Sequence, residues 1–368
     1  MTQLRTVQVL GGGSAGSSAH VRSLASGLVA RGVRVTVCAP PELDHVYDFA
    51  GTGAHYVPAA RRGGPAAVAV LRNAFIGADV VHAHGLDASV RASLALSGAP
   101  APRTPLVTTW HTRGHVAGAR AGLVRLLERT TVRAASVVLG TSSELVDRAR
   151  RRGARDARLA PVTVPASRAP VCLHDGKARA ELGAVDRPLL MAVGALEPGR
   201  GYGTLLDAAR TWRDLDPPPL LVIAGEGPER PALQRRIEAE DLAVRLIGRR
   251  DDVAELLAAA DVAVLPSRWE ARSLLAQEAL RLGVPLVATA VGGVPELVGD
   301  AAELVPYGDA DAVASAVRGL LDDADRRMDL AAAGRVQAGT WPTEDETIAH
   351  VLSVYDELSD RLGPSRRP

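Results

Sequence analysis

The stretch Pro266–Ala279, PSRWEARSLLAQEA, decides how the chain is read. Before it runs Asp261–Leu265 (DVAVL), short and apolar like a buried strand. At about Ser273 the pattern becomes helical, with Leu274, Leu275, Ala279 and Leu282 spaced for one buried face. A strand, a polar loop and a helix start leave free backbone amides pointing at an anion, with the helix dipole behind them. Glu270 lies in that loop and Glu278 in the helix, with seven residues between them. Acids beside an anion site do not hold phosphate; they accept hydrogen bonds from hydroxyls, as on a ribose or a sugar ring. A phosphorylated, hydroxyl-rich ligand is expected.

Outward from this stretch the alternation of strand and helix continues. Strands are expected near Leu189–Val193, Leu220–Ala224, Val244–Ile247, Val262–Leu265, Leu286–Ala288 and Glu303–Val305, with helical patterns between. Such alternation argues for a parallel sheet with crossovers. The N-terminal half repeats the architecture but not the sequence. Thr6–Leu10 runs into a glycine-rich loop, then a helix with Val21, Leu24, Ala25, Leu28 and Val29 on one face, closing at Gly32. Further strands are expected at Val33–Val37, Ala78–His84, Leu106–Trp110, Val137–Leu139 and Arg158–Pro161; Ala78–His84 is read as a strand running into a loop, with His82 and His84 as satisfied loop residues just past its apolar part. Pro40–Gly64 reads as irregular apart from an extended piece at His55–Val57. Val162–Pro188 holds Pro165, Pro170 and Gly176 without sustained periodicity, as a linker would. Trp341-Pro342 then starts a last helix, Glu344–Leu362, with Ile348, Val351, Leu352 and Tyr355 on one face. The expected division is an N-terminal domain 1–165, a linker 166–187, a second domain 188–340 and a helical tail 341–368.

At 368 residues the chain is long for one domain and suited to two. Its 43 basic and 42 acidic residues create no global field that would suggest nucleic acid. Cys38 and Cys172 form neither a metal spacing nor a disulfide framework, which fits a reduced, cytoplasmic setting. The N-terminus enters a strand without a signal peptide, and no apolar run has the length of a membrane span. The run 118–135 (GARAGLVRLLERTTVRAA) carries Arg120, Arg125, Arg129 and Arg133, with Leu123, Leu126 and Leu127 expected opposite. It fits a solvated helix packed on its own sheet, or a basic surface lying on the anionic inner face of a membrane.

The E-x7-E spacing of Glu270 and Glu278 resembles the signature of the retaining glycosyltransferases of family four, GT-B-fold enzymes that use nucleotide sugars. Other matches run from about Val7 to the end of the chain. Ala15–Val21 (AGSSAHV) resembles the family's GG-x-x-x-H-V, with Ala15 in place of one glycine and Gly16 against the phosphate. His111, after the strand VTTW, resembles the active-site histidine that contacts the transferred sugar. Val193–Gly201 (VGALEPGRG) resembles G-R-L-x-x-x-K-G, whose two cations grip the diphosphate. Arg200 takes the lysine position and can bind phosphate bidentately, while Ala195 takes the arginine position and cannot. Ala224–Pro228 (AGEGP), which contains Gly225, matches G-x-G-P. Gly248–Asp252 (GRRDD), with Arg249 and Asp251, lies where the family holds the base. Gly292–Glu296 (GGVPE) resembles a GG-x-P-E turn near the donor. For the glycine motifs a tight turn is the plain alternative.

The resemblance implies two Rossmann-like domains facing each other across a cleft, with the last helix crossing back to the first. It implies a catalytic set of His111, Glu270 and Arg200. Glu270 would hold the transferred sugar at O3 or O4, and Glu278 the ribose. Gly16, Gly225, Arg249, Asp251, Ser273, Leu274 and Leu275 complete the donor site. No Asp-x-Asp motif stands at a strand end beside a glycine loop, so no metal and no cofactor beyond the nucleotide-sugar co-substrate is expected. The helix dipole and Arg200 would carry the leaving diphosphate's charge. Retention of anomeric configuration is implied, with a GDP- or UDP-hexose as donor. A nucleotide-sugar epimerase on the same fold and a catalytically weakened nucleotide-sugar-binding protein are the competing readings, the latter supported by Ala195. A dehydrogenase leaves Glu270, Glu278 and Arg200 without a purpose. The acceptor (lipid-linked, saccharide or small molecule) is not legible.

Overall fold

In the computed structural model, which describes residues 3–12, 15–61, 64–98, 104–113, 119–162 and 175–361, the short apolar runs become strands of two all-parallel sheets. The chain divides into two compact units, one of Met1–Pro165 with Pro342–Pro368 and one of Ala166–Trp341.

The first unit carries β1 (Arg5–Leu10), β2 (Arg34–Ala39), β3 (His55–Pro58), β4 (Val80–His84), β5 (Leu106–Trp110), β6 (Val137–Gly140) and β7 (Ala157–Leu159) in the order β3-β2-β1-β4-β5-β6-β7. Its crossovers are α1 (Ala15–Ala30), α2 (Pro41–Tyr47), α3 (Pro65–Ala74), α4 (Leu86–Leu96), α5 (Ala119–Ala134) and α6 (Ser143–Arg152). Both faces of the sheet are covered, so strands such as β4 and β5 are buried along their whole length and read as continuous apolar runs. Val21, Leu24 and Leu28 of α1 pack on one face, and Leu71, Ala88 and Ala92 of α3 and α4 on the other.

Three expectations are corrected here. The stretch expected to be irregular holds α2, which starts on Pro41 and closes on Asp48 in the left-handed region. None of its residues is buried, so it has no apolar period to betray it. On α5, Leu123 and Leu126 face solvent at 57% and 58% exposure, beside the arginines instead of opposite them. The buried face is carried by Thr131, Val132 and the acid Glu128, which Arg148 and Arg152 hold at 2.8 and 2.7 Å. His82 and His84 lie within β4, not in a loop beyond it.

The second unit carries β8 (Leu189–Val193), β9 (Leu220–Ala224), β10 (Val244–Gly248), β11 (Val262–Leu265), β12 (Leu286–Thr289) and β13 (Glu303–Val305), ordered β10-β9-β8-β11-β12-β13. Its helices are α7 (Asp175–Leu182), α8 (Tyr202–Thr211), α9 (Arg230–Ala239), α10 (Val253–Ala258), α11 (Leu274–Leu282), α12 (Val294–Val298), α13 (Ala310–Asp322) and α14 (Ala324–Gly339). The supposed linker is structured over α7, whose Leu182 enters the core of this unit; its part at 166–174 lies outside the described residues.

The last helix, α15 (Glu344–Asp360), belongs to the first unit. Thr343 and Glu346 form a reciprocal capping box at its start, and Ile348, Val351, Val354, Tyr355 and Leu358 enter the core beside α1. Among the described residues no helix is long and apolar enough to cross a membrane. In each sheet the strand order reverses direction once, between β1 and β4 and between β8 and β11. Loops leaving the carboxyl ends of the strands part at such a point and open a crevice where ligands bind.

Candidate functional site

In the second unit the loops after β8 and β11 meet at the switch point. The backbone N–H of Arg268 donates to Gly199 O at 2.8 Å, which stitches the β11 loop to the loop that carries Arg200. Across this seam Arg200 Nη1 pairs with Glu270 Oε1, and Ser267 Oγ donates to the same oxygen at 3.0 Å. Two residues expected on different parts of one ligand are therefore partners of each other. Glu270 is 17% exposed, and burial pushes its carboxyl above the usual range, while Arg200 and Ser267 pull against that shift. Thr289 Oγ1 holds Ser267 O at 2.6 Å from β12, and Gly293 N–H holds Glu270 O at 2.9 Å. Gly292 sits at φ 57°, where a Cβ would lie 2.1 Å from Glu270 O. That glycine turn therefore buttresses the Glu270 loop.

Ser273 caps α11, its hydroxyl accepting from Ala276 N–H at 3.4 Å. The first-turn amides, including those of Leu274 and Leu275, have no acceptor within the helix and lie one short loop from Glu270. Leu275 and Ala279 are buried as expected, but Leu274 is 37% exposed and Gln277 takes its place in the core. Glu278 projects from the second turn, half-buried, with Arg281 at 3.9 Å; burial pushes its carboxyl up and Arg281 opposes this. Arg272 is half-buried, its guanidinium 5.7 Å from the Trp341 ring centroid. Burial drives it down to about 10, and its packing makes it a poor substitute for an exposed phosphate cation.

Gly225 follows β9 at φ 154°, and a Cβ there would lie 1.9 Å from Gly194 O. Its N–H donates to Gly248 O at 2.8 Å, so the loops after β8, β9 and β10 are joined through this glycine. Beyond β10, Arg249 and Asp251 are exposed, whereas Arg250 turns to Asp252 at 2.7 Å. Ala195 is half-buried on the β8 loop. The residue missed by sequence reasoning is Arg268. It is exposed, forms no ion pair among the described residues, and starts beside the Arg200 loop. Only the fold reveals that adjacency.

In the first unit Gly16 lies in the first turn of α1, just after β1, and His111 follows β5. Behind His111 one face of the sheet carries a buried polar chain. His84 Nδ1 lies 3.3 Å from His111 Nε2, and His84 Nε2 lies 3.0 Å from Gln8 Oε1. Gln8 Nε2 donates to Tyr355 Oη at 3.0 Å; Tyr355 Oη and Thr109 Oγ1 each lie 2.6 Å from a ring nitrogen of His82. Polar groups in an apolar core are retained only when satisfied, and these are. Burial lowers His20 to about 4 and His82 to about 3, and holds His84 and His111 well below the usual imidazole value with help from neighbouring rings. The rings are neutral at neutral pH.

Residues 15–165 match the family model described as "Glycosyl transferase 4-like domain", and residues 175–337 that described as "Glycosyl transferases group 1". The N-acetyl-alpha-D-glucosaminyl L-malate synthase of Bacillus anthracis is 33% identical over 146 residues, 38% of each chain. The glycogen synthase of Mycobacterium tuberculosis is 31% identical over 291 residues, 74% of this chain and 68% of that enzyme. Several other curated relatives are matched over only about half their length. Among solved structures, Anabaena Alr3699/HepE in complex with UDP-glucose superposes with a TM-score of 0.79 at 19% identity, over 96% of this chain and 100% of that one. That likeness is one of fold.

Proposed function

The chain belongs to the group 1 glycosyl transferases, enzymes of the GT-B fold, and from that premise we propose that it moves a hexose from a GDP- or UDP-sugar to an acceptor hydroxyl with retention of configuration. The observation that supports this reading is the Arg200–Glu270 pair at the switch point, one short loop from the start of α11. A diphosphate arriving at the α11 amides draws Arg200 toward its oxygens, and Glu270 is left to accept hydrogen bonds from the sugar's hydroxyls. Each charge exchanges one partner for another, so neither is stranded in a dry site. Glu278 then takes the ribose. The bond from the anomeric carbon to the phosphate oxygen breaks. The acceptor oxygen forms the new bond on the same face, and its proton passes to the departing diphosphate. Arg200 and the helix amides stabilise the charge on that leaving group, with no metal ion in the scheme.

Thermal unfolding with UDP-, GDP- and ADP-sugars in EDTA tests the reading, because a ligand that binds only the folded state raises the midpoint by mass action. A rise with one base, followed by release of its nucleoside diphosphate only when acceptor is present, supports transfer. Conversion of the sugar without acceptor would favour the epimerase, and binding without turnover the binding protein.

The exposed Leu123 and Leu126, beside Arg120, Arg125, Arg129 and Arg133, favour a second reading that concerns the acceptor's location. α5 would rest on an anionic membrane surface, its leucines in the interface and its arginines at the headgroups. Vesicles containing anionic lipid should sediment the protein, and Leu123→Gln with Leu126→Gln should abolish this without changing the thermal midpoint. Equal sedimentation of the variant would dismiss the contact.

A further inference from the structure

We propose that Gln8, His84 and Tyr355 are positioning residues that fix the tautomer of His111, so that His111 meets the transferred sugar as a hydrogen-bond acceptor; the sugar's part in this rests on the glycosyl-transfer reading above. The argument follows one hydrogen at a time. Gln8 lies on β1 opposite His82 of β4 and is fully buried, so its amide must find partners inside the sheet. Its Nε2 donates to Tyr355 Oη, which turns its carbonyl Oε1 to His84 Nε2 at 3.0 Å. A carbonyl only accepts, so His84 Nε2 carries the hydrogen. The neutral ring has no second hydrogen, and His84 Nδ1 is a lone pair. His111 Nε2, 3.3 Å from that lone pair, must donate. The remaining nitrogen of His111, Nδ1, is thereby left as an acceptor.

The other end of the chain agrees in direction. Tyr355 Oη accepts from Gln8, so its own hydrogen goes to His82 Nδ1 at 2.6 Å. His82 Nε2 then donates to Thr109 Oγ1 at 2.6 Å. Along the path each donor meets an acceptor, with Gln8 Nε2 also reaching Thr6 Oγ1 at 3.5 Å, and reversing the bond at His84 alone leaves two donors or two acceptors facing each other. Such a clash is what a dry interior penalises most. His20, His82, His84 and His111 are the titratable rings gathered here, with ring centroids 5.5 Å apart for His20 and His111 and 5.6 Å for His84 and His111. Four rings so close and so dry disfavour a proton on any of them, which keeps the tautomer argument valid at neutral pH. The ligand feature that His111 would read is a hydroxyl, which can donate, and not a carbonyl or ether oxygen.

The test uses the full chain labelled with 15N-histidine. Long-range 15N–1H correlation of the ligand-free protein separates protonated from lone-pair ring nitrogens, and His111→Gln assigns the signals. The expected spectrum places the hydrogen of His111 on Nε2. Gln8→Leu should mix the two tautomers and lower kcat with the best nucleotide sugar about tenfold, with its KM unchanged, the cost of one misdirected hydrogen bond. Tyr355→Phe removes a single oxygen and should give the same mixing if Gln8→Leu does not fold. A hydrogen on Nδ1 in the wild type overturns the proposal. So does an unchanged tautomer in the folded variants, or a mixed tautomer with undiminished kcat. If no nucleotide sugar is turned over at all, the transferase reading fails by itself, and the ligand-free spectrum still decides the relay.

Discussion

At the scale of single residues, Glu270, proposed above to hold the sugar, carries a stability cost. Burial raises its carboxyl above the unfolded value, so the cost of ionising it in the fold is absent below the ordinary carboxylate range and grows as pH rises through the raised value. Glu270→Gln keeps the shape and removes the charge. Turnover should fall about 10² or more, as when a charge-stabilising group is lost. The thermal midpoint at pH 7.5 should equal or exceed that of the wild type, and the advantage should vanish by pH 4. A variant that is less stable at pH 7.5 would show that the ion pair with Arg200 outweighs the burial. The second residue-scale question is the missing cation at Ala195. Arg268 begins beside the same loop, so Arg268→Ala should weaken nucleoside-diphosphate binding by about tenfold, the worth of one charge-assisted contact. Ala195→Arg in that background should restore it. The E-x7-E pair and the alanine were legible because motif spacing is local. Arg268 was not, since nothing in its neighbourhood says that Gly199, far away in sequence, lies against it.

At the scale of elements, legibility followed burial. β5, β8, β9 and β11 fall where the apolar runs place them, because a parallel strand inside a sheet is buried on both faces and writes an unbroken signal. α2 has no buried residue and α5 buries an acid satisfied by two arginines, so periodicity was missing in one and misleading in the other. The contact of α1 with α15 is set by a detail that no periodicity encodes. A Cβ on Gly27 would come within 2.1 Å of Ile348 Cδ1, the end of a side chain that can turn away. Gly27→Ala should be nearly neutral, since the helix gains about 1 kcal/mol in propensity while Ile348 gives way. Gly27→Leu adds bulk that has no place to go and should cost about 1–3 kcal/mol in denaturant unfolding. Ile348→Ala should recover part of that loss in the double variant. Additive costs would mean that the two side chains do not meet.

At the scale of the molecule, the two units share an architecture but not a chemistry. Eight of the nine histidines fall in the sequence range of the first unit; His115 among them, and His174 in the second, lie outside the described residues. Four of the eight form the buried cluster, where every folded-state value lies below the unfolded value near 6.5. Protons therefore bind the unfolded first unit more readily. Its stability is whole above about pH 6.5 and is lost as pH falls toward the folded value of about 4 at His20, at about 1.4 kcal/mol per pH unit for each proton taken up. The second unit carries no histidine among its described residues; arginines hold the Glu240 and Asp252 carboxyls below the usual range, while burial raises those of Glu270 and Glu278, which favours this unit as pH falls. Between pH 7.5 and 5 the units should thus separate in stability, the first weakening and the second holding. Urea-treated samples at the two pH values, pulse-labelled by hydrogen exchange and read peptide by peptide, follow each unit in one experiment. Loss of protection in β4, β5 and α15 at lower urea, with β8 and β11 unmoved, is the expected result. The His82→Phe variant should blunt the pH effect if it folds, because it removes one buried ring that must stay neutral. Parallel weakening of both units would mean that the acid response arises outside the cluster, in carboxylates common to both.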